Sequence, residues 1–113
     1  MIRIAIVDDH EMVREGLRTI LQPEEDFDVV AESGSADGIV ALVDDAHPDV
    51  VLLDARLPGI SGPEATRLLA GVEGIAQVVF TAEDVIRHEL VARIVAAYDA
   101  AALAANRLRE ADA

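Results

Sequence analysis

The sequence predicts an α/β fold, a single domain over residues 1–113 built on a doubly wound parallel sheet of four strands and closed by a long C-terminal helix. Three observations carry this. Short apolar runs alternate with segments of helical period, an order that calls for parallel strands joined by right-handed crossovers. Two of the runs, Ile2–Val7 and Val50–Leu53, end abruptly in acids, Asp8-Asp9 and Asp54. From Ile75 to Ala113 there is no Gly and no Pro, and the last twenty residues are dominated by alanine, the strongest helix former.

Strand 1 spans about residues 2 to 8. A helix follows over Glu11 to Leu21, with Val13, Leu17, Ile20 and Leu21 on one apolar stripe and Pro23 behind it. Phe27–Ala31 reads as strand 2. Ser35 is placed to cap a second helix over Ala36 to Ala46, whose stripe is Ile39, Leu42, Val43 and Ala46; His47-Pro48 stops it. Strand 3, Asp49–Asp54, is apolar without alternation and so buried on both faces. After Pro58-Gly59, the Ser61-x-x-Glu64 capping box with Pro63 starts a third helix carrying Ala65, Leu68, Leu69 and Val72. Ile75–Phe80 is strand 4, ending at Thr81.

In an open parallel sheet, strands of similar length deliver their carboxyl ends to one edge, where such sheets bind ligands. Asp8, Asp9 and Asp54 then converge. Two like charges ~4 Å apart repel by about 4 kcal/mol at an effective dielectric near 20, so an all-oxygen trio of this kind attracts Mg²⁺ or Mn²⁺. The plainer reading of Asp8-Asp9 is a helix cap beside a solvated acid. Thr81 reaches the same edge, either as a hydroxyl donor to an anion or as a cap.

Composition narrows the function. A net charge of −13 with no lysine argues against direct nucleic-acid binding, which needs clustered cations. No apolar run is long enough for a membrane span and no leader pattern opens the chain, so a cytoplasmic location is expected. His10, His47 and His88 have no zinc-site spacing and read as surface or capping residues. No phosphate-binding glycine fingerprint and no Ser-His-Asp arrangement occurs.

Asp8-Asp9, Asp54 with Leu57-Pro58-Gly59 behind it, and Thr81-Ala82 together resemble the receiver domain of bacterial two-component response regulators. Val7-Asp8-Asp9-His10, Val13-Arg14-Glu15-Gly16-Leu17 and Pro58-Gly59-Ile60-Ser61-Gly62 resemble the NarL/FixJ-type branch. The resemblance covers about residues 2 to 85. It implies a flavodoxin-like sheet, a phosphoacceptor at Asp54 served by a histidine kinase, and Mg²⁺ held by Asp8, Asp9, Asp54 and the carbonyl of Arg56. Thr81 would hydrogen-bond the phosphoryl group. Such a domain is a phosphoacceptor rather than an enzyme acting on other molecules.

The chain departs from the family beyond residue 83. The family's lysine falls on Leu103 and its switch aromatic on Ala100. Arg107 or Arg109 would replace the lysine only if the chain folded back. A receiver core over 2–83 is therefore expected to continue into one alanine-rich helix, Asp84 to Arg109 and at most 84–111, in place of the family's fourth helix, fifth strand and fifth helix. Leu90, Ile94, Ala97, Ala101, Ala104, Leu108 and Ala111 form a heptad seam, widened by Val91, Val95, Tyr98, Ala102 and Ala105. That helix should overhang the domain and form a homodimer, and strand 4 should become a sheet edge open to pairing. Two functional classes stay open: a phosphoaccepting receiver, or a pseudo-receiver that serves as a non-switching interaction or dimerisation module. The helix-turn-helix output domain usual in this branch is not found in these residues, so direct DNA binding by this chain is not expected.

Overall fold

Four apolar segments hydrogen-bond side by side in the computed structural model, which describes residues 1–35, 37–57, 64, 67, 75–81 and 89–112. They are β1 (Ile2–Val7), β2 (Phe27–Ser33), β3 (Val50–Asp54) and β4 (Ala76–Phe80), all parallel in the order β2-β1-β3-β4. Three helices are described: α1 (Glu11–Leu21), α2 (Ile39–Ala46) and α3 (Glu89–Asp112). The expected third helix, from Ser61 through Val72, lies outside the described residues apart from Glu64 and Arg67, both helical.

Strand alternation divides the core into two layers. Ile4, Ile6, Leu52, Val78 and Phe80 face α1, through Leu17 and Leu21, and α3, through Leu90 and Ile94. Ala5, Val7, Val51 and Leu53 face α2, through Ile39 and Val43, and the loop residue Leu57. The central strands β1 and β3 are thus buried on both sides, as their unbroken apolar runs require. Arg3, the exposed exception in β1, donates to the last carbonyls of α2, 3.2 Å to His47 and 2.5 Å to Ala46, and so satisfies orphan acceptors at a helix C-terminus.

Local boundaries differ from the sequence reading by one residue at the starts of β3 (Val50, not Asp49) and β4 (Ala76, not Ile75), at the end of α3 (Asp112, beyond Arg109), and more informatively in α2 and β2. α2 begins at Ile39, with Gly38 as its N-cap; the Ser35 hydroxyl instead accepts from the Asp37 N–H at 3.1 Å, closing a turn before the helix. β2 runs two residues further than expected, to Ser33, because Glu32 gains cationic partners from α1.

α3 is one unbroken helix of 24 residues, roughly 36 Å at about 1.5 Å per residue, in a molecule whose longest dimension is 46 Å. Leu90 and Ile94 are buried, and Val91, Ala97, Tyr98 and Ala101 pack beside them. Past Ala101 the described side chains, Ala102, Leu103, Ala104 and Arg107, are exposed. The first half of the heptad seam is spent on the domain's own core. Among the described side chains, packing on the core stops at Ala101.

Candidate functional site

The register builds the site. Val7 pairs with Leu53, and Asp54 pairs with Phe80, so the residues that follow β1, end β3 and follow β4 share one rim at the carboxyl edge. Asp8, Asp9, Asp54 and Thr81 all stand on that rim. One ligand atom from each of Asp8, Asp9, His10 and Asp54 lies within 4.8 Å of every other.

Asp8 is the buried member, 1% exposed. Its N–H donates to the Ser33 carbonyl at 3.0 Å, which continues the β1–β2 ladder, and its Oδ1 accepts the His10 N–H at 2.7 Å. Burial pushes its carboxyl above the ordinary value of 3.8; the hydrogen bond from His10 opposes this, and the charge of Asp54 adds to it. An acid made uncomfortable by burial and by a neighbouring acid is a poor structural choice and a good ligand for a hard cation.

Asp54 is half-buried, and its Oδ1 accepts the Arg56 N–H at 3.0 Å, a turn that fixes the carboxylate as the chain leaves the sheet. Ala55 donates to the Phe80 carbonyl at 2.8 Å, tying this turn to the end of β4. Arg56 is exposed beside it, and Thr81 is exposed one residue beyond Phe80.

His10 is the residue that sequence reasoning set aside. It is exposed, as expected of a surface residue, and it occupies the N-cap position of α1 without a side-chain cap bond. Yet its Nδ1 lies 3.0 Å from Asp9 Oδ1 and 3.3 Å from Asp8 Oδ1. The signal was its place directly after two acids at a strand end, where the turn into α1 brings the ring back over them.

The position implied for the family's lysine is exposed in α3. The helix leaves the carboxyl edge near Val79, which Arg93 contacts, and passes Met1, Ile2 and Phe27 at the amino edge by Val95 and Tyr98. Leu103 and positions 107 and 109 follow in the same unbroken helix, so the chain does not fold back to the acidic rim.

Three carboxylates and an imidazole gathered around one point suit a hard divalent cation with oxygen ligands, and a strand-terminal carboxylate beside such an ion is a competent phosphoryl acceptor. The chain is 46% identical over 66 residues to the transcriptional regulatory protein DegU of Brevibacillus brevis, covering 58% of this chain and 28% of that protein. It is 42% identical over 82 residues to the response regulator GacA of Pseudomonas aeruginosa, covering 72% of this chain and 38% of that one. The matched part is thus about a third of those relatives' length. Among solved structures, the signal receiver domain of NarL from Mycobacterium tuberculosis superposes with a TM-score of 0.65 at 29% identity, over 72% of this chain and 66% of that one. The family model described as the response regulator receiver domain matches residues 4–103. A match that runs from β1 well into α3 makes this chain a member of the response regulator receiver domain family.

Proposed function

We propose that this receiver accepts a phosphoryl group on Asp54 from the phosphohistidine of a histidine kinase. The reading rests on the gathering of Asp8, Asp9, His10 and Asp54 within 4.8 Å. A carboxylate oxygen of Asp54 forms the new O–P bond while the N–P bond of the donor breaks, and the donor imidazole leaves with the bonding electron pair. Phosphoryl transfer asks mainly for in-line positioning and charge neutralisation. The β3 turn supplies the first by fixing Asp54 through the Arg56 N–H. Mg²⁺, when bound by the carboxylates of Asp8, Asp9 and Asp54 and the carbonyl of Arg56, supplies the second. Thr81 serves as hydrogen-bond donor to the phosphoryl oxygens.

In this reading the domain is an acceptor, with at most self-directed transfer and hydrolysis. It acts in the cytoplasm and makes no direct contact with nucleic acid. The transcriptional role named for DegU supports gene regulation as its output. No helix among the described residues is long and apolar enough to cross a membrane. The exposed part of α3 is a surface for homodimerisation. The pseudo-receiver alternative, a module that keeps the acid pocket and does not switch, draws no support from the family match.

Incubation with Mg²⁺ and acetyl phosphate, followed by intact mass measurement, tests the reading. The wild-type chain should gain one phosphoryl group and Asp54→Asn should not. No gain in the wild type, or an equal gain in both, overturns it.

A further inference from the structure

Beyond Ala101, residues 102 to 112 of α3 extend roughly 16 Å at about 1.5 Å per residue, with no packing of their described side chains on the core. The surface that they continue carries a pattern. Asp99, Leu103 and Arg107 are four residues apart, so they line one stripe of the helix, and all three are exposed. Leu103 is 54% exposed. Along the helix the stripe reads acid, apolar, base.

Reversed end for end, the stripe becomes base, apolar, acid, which makes it its own complement in an antiparallel pair. Within one copy, Asp99 and Arg107 are two turns apart, too far along the axis to meet. Ala96 and Ala100, exposed beside the stripe, leave room for a second helix backbone. Next to it runs a groove of about 300 Å³ floored by Phe27, Val91, Val95 and Tyr98, with Glu24 and Asp26 on its rim.

We propose that a second copy of this chain occupies this surface, with its α3 antiparallel and a two-fold axis at Leu103. Each Arg107 then pairs with the partner subunit's Asp99, and the two Leu103 side chains meet on the axis. Such a contact is isologous and closes at two copies. The inference rests on the reading of α3 as a homodimerisation surface and fixes its register.

Sedimentation of the full chain across a concentration series tests it. The wild type should dimerise. Asp99→Arg and Arg107→Asp should each weaken the dimer tenfold or more, and the double exchange should restore it. The chain contains no cysteine, so Leu103→Cys should cross-link to itself on mild air oxidation, whereas Arg93→Cys should not. A wild-type chain that stays monomeric at high concentration overturns both the dimer and its register. A dimer indifferent to either charge reversal, or not rescued by the double exchange, overturns the register alone. Helicity by circular dichroism confirms that each variant retains α3.

Discussion

Arg93 of α3 donates from a terminal guanidinium nitrogen to the carbonyl oxygen of Val79, 2.5 Å away, on the open edge of β4. The Phe80 carbonyl accepts from Ala55 on the β3 side. Alternation therefore turns the polar backbone groups of Val79 outward. No strand lies beyond β4 among the described residues, and Arg93, reaching over from α3, covers one acceptor of that edge. The sequence suggests an edge open to pairing, and this contact occupies one of its acceptors.

Arg93→Ala should remove that cover. We expect a stability loss of about 1 kcal/mol in urea unfolding, since charged donors to carbonyls contribute at that level or above. We also expect an earlier onset of light scattering on heating, as exposed edges template aggregation. An unchanged midpoint together with unchanged onset would show that the edge is protected by other means.

Asp8 gives the metal-free protein a pH dependence of definite sign. Its folded-state value lies above the ordinary 3.8, chiefly through burial and further through Asp54, so between the two values the folded protein holds a proton that the unfolded chain has released. The contribution of Asp8 to stability is greatest below 3.8 and falls as pH rises through the folded value, after which it is level. Asp8→Asn keeps an oxygen for the His10 N–H, so its melting temperature without metal should exceed that of the wild type at pH 7 and match it near pH 3. Mg²⁺ at a hundredfold excess over its dissociation constant should add about 2.7 kcal/mol to the wild type and far less to the variant. A variant less stable than the wild type at pH 7 without metal would refute the assignment.

Ile94 and Leu103 divide α3 into an anchored and a free half. Ile94 is fully buried, and its replacement by alanine should cost about 2–5 kcal/mol through lost burial and a residual cavity. Leu103→Ala, measured at a dilution where the chain is monomeric, should cost no more than about 0.5 kcal/mol. Equal costs in urea unfolding would mean that the overhang packs on the domain after all.

Much of this was legible because apolar period and punctuation act locally. α1 falls at its predicted limits, since its stripe and Pro23 need no tertiary help. Asp8, Asp9 and Asp54 were visible as acids ending buried strands, and parallel register did the rest. The start of α2 was not visible, because a serine that caps a helix and one that closes a turn look alike in sequence. The extent of β2 depended on cations from α1 meeting Glu32. The alanine-rich run announced a long helix, but only packing could show that the heptad seam turns inward as far as Ala101. His10 was missed because its proximity to Asp9 arises in the turn, not in the spacing of histidines.

Arg14 is the residue through which α1 governs the acidic rim. One guanidinium nitrogen donates to the Asp8 carbonyl at 2.5 Å, and Nε lies 3.5 Å from Glu32 Oε1, while Arg18 pairs with the other oxygen of Glu32. Gly34 leaves the space for this, since a Cβ there would come within 3.3 Å of the guanidinium. The Asp8 backbone is thereby held from two sides, by Ser33 and by Arg14. Arg14→Ala should cost about 2 kcal/mol, the scale of a lost charged hydrogen bond together with a buried Glu32 oxygen left without compensation. It should also weaken Mg²⁺ binding several-fold in calorimetric titration, because the Asp8–Asp9 turn loses its anchor. Leu21→Ala, from the same helix, separates positioning from simple destabilisation: it should lose as much stability or more and keep its Mg²⁺ affinity. If both variants lose affinity in proportion to stability, Arg14 supports the fold and does not position the rim.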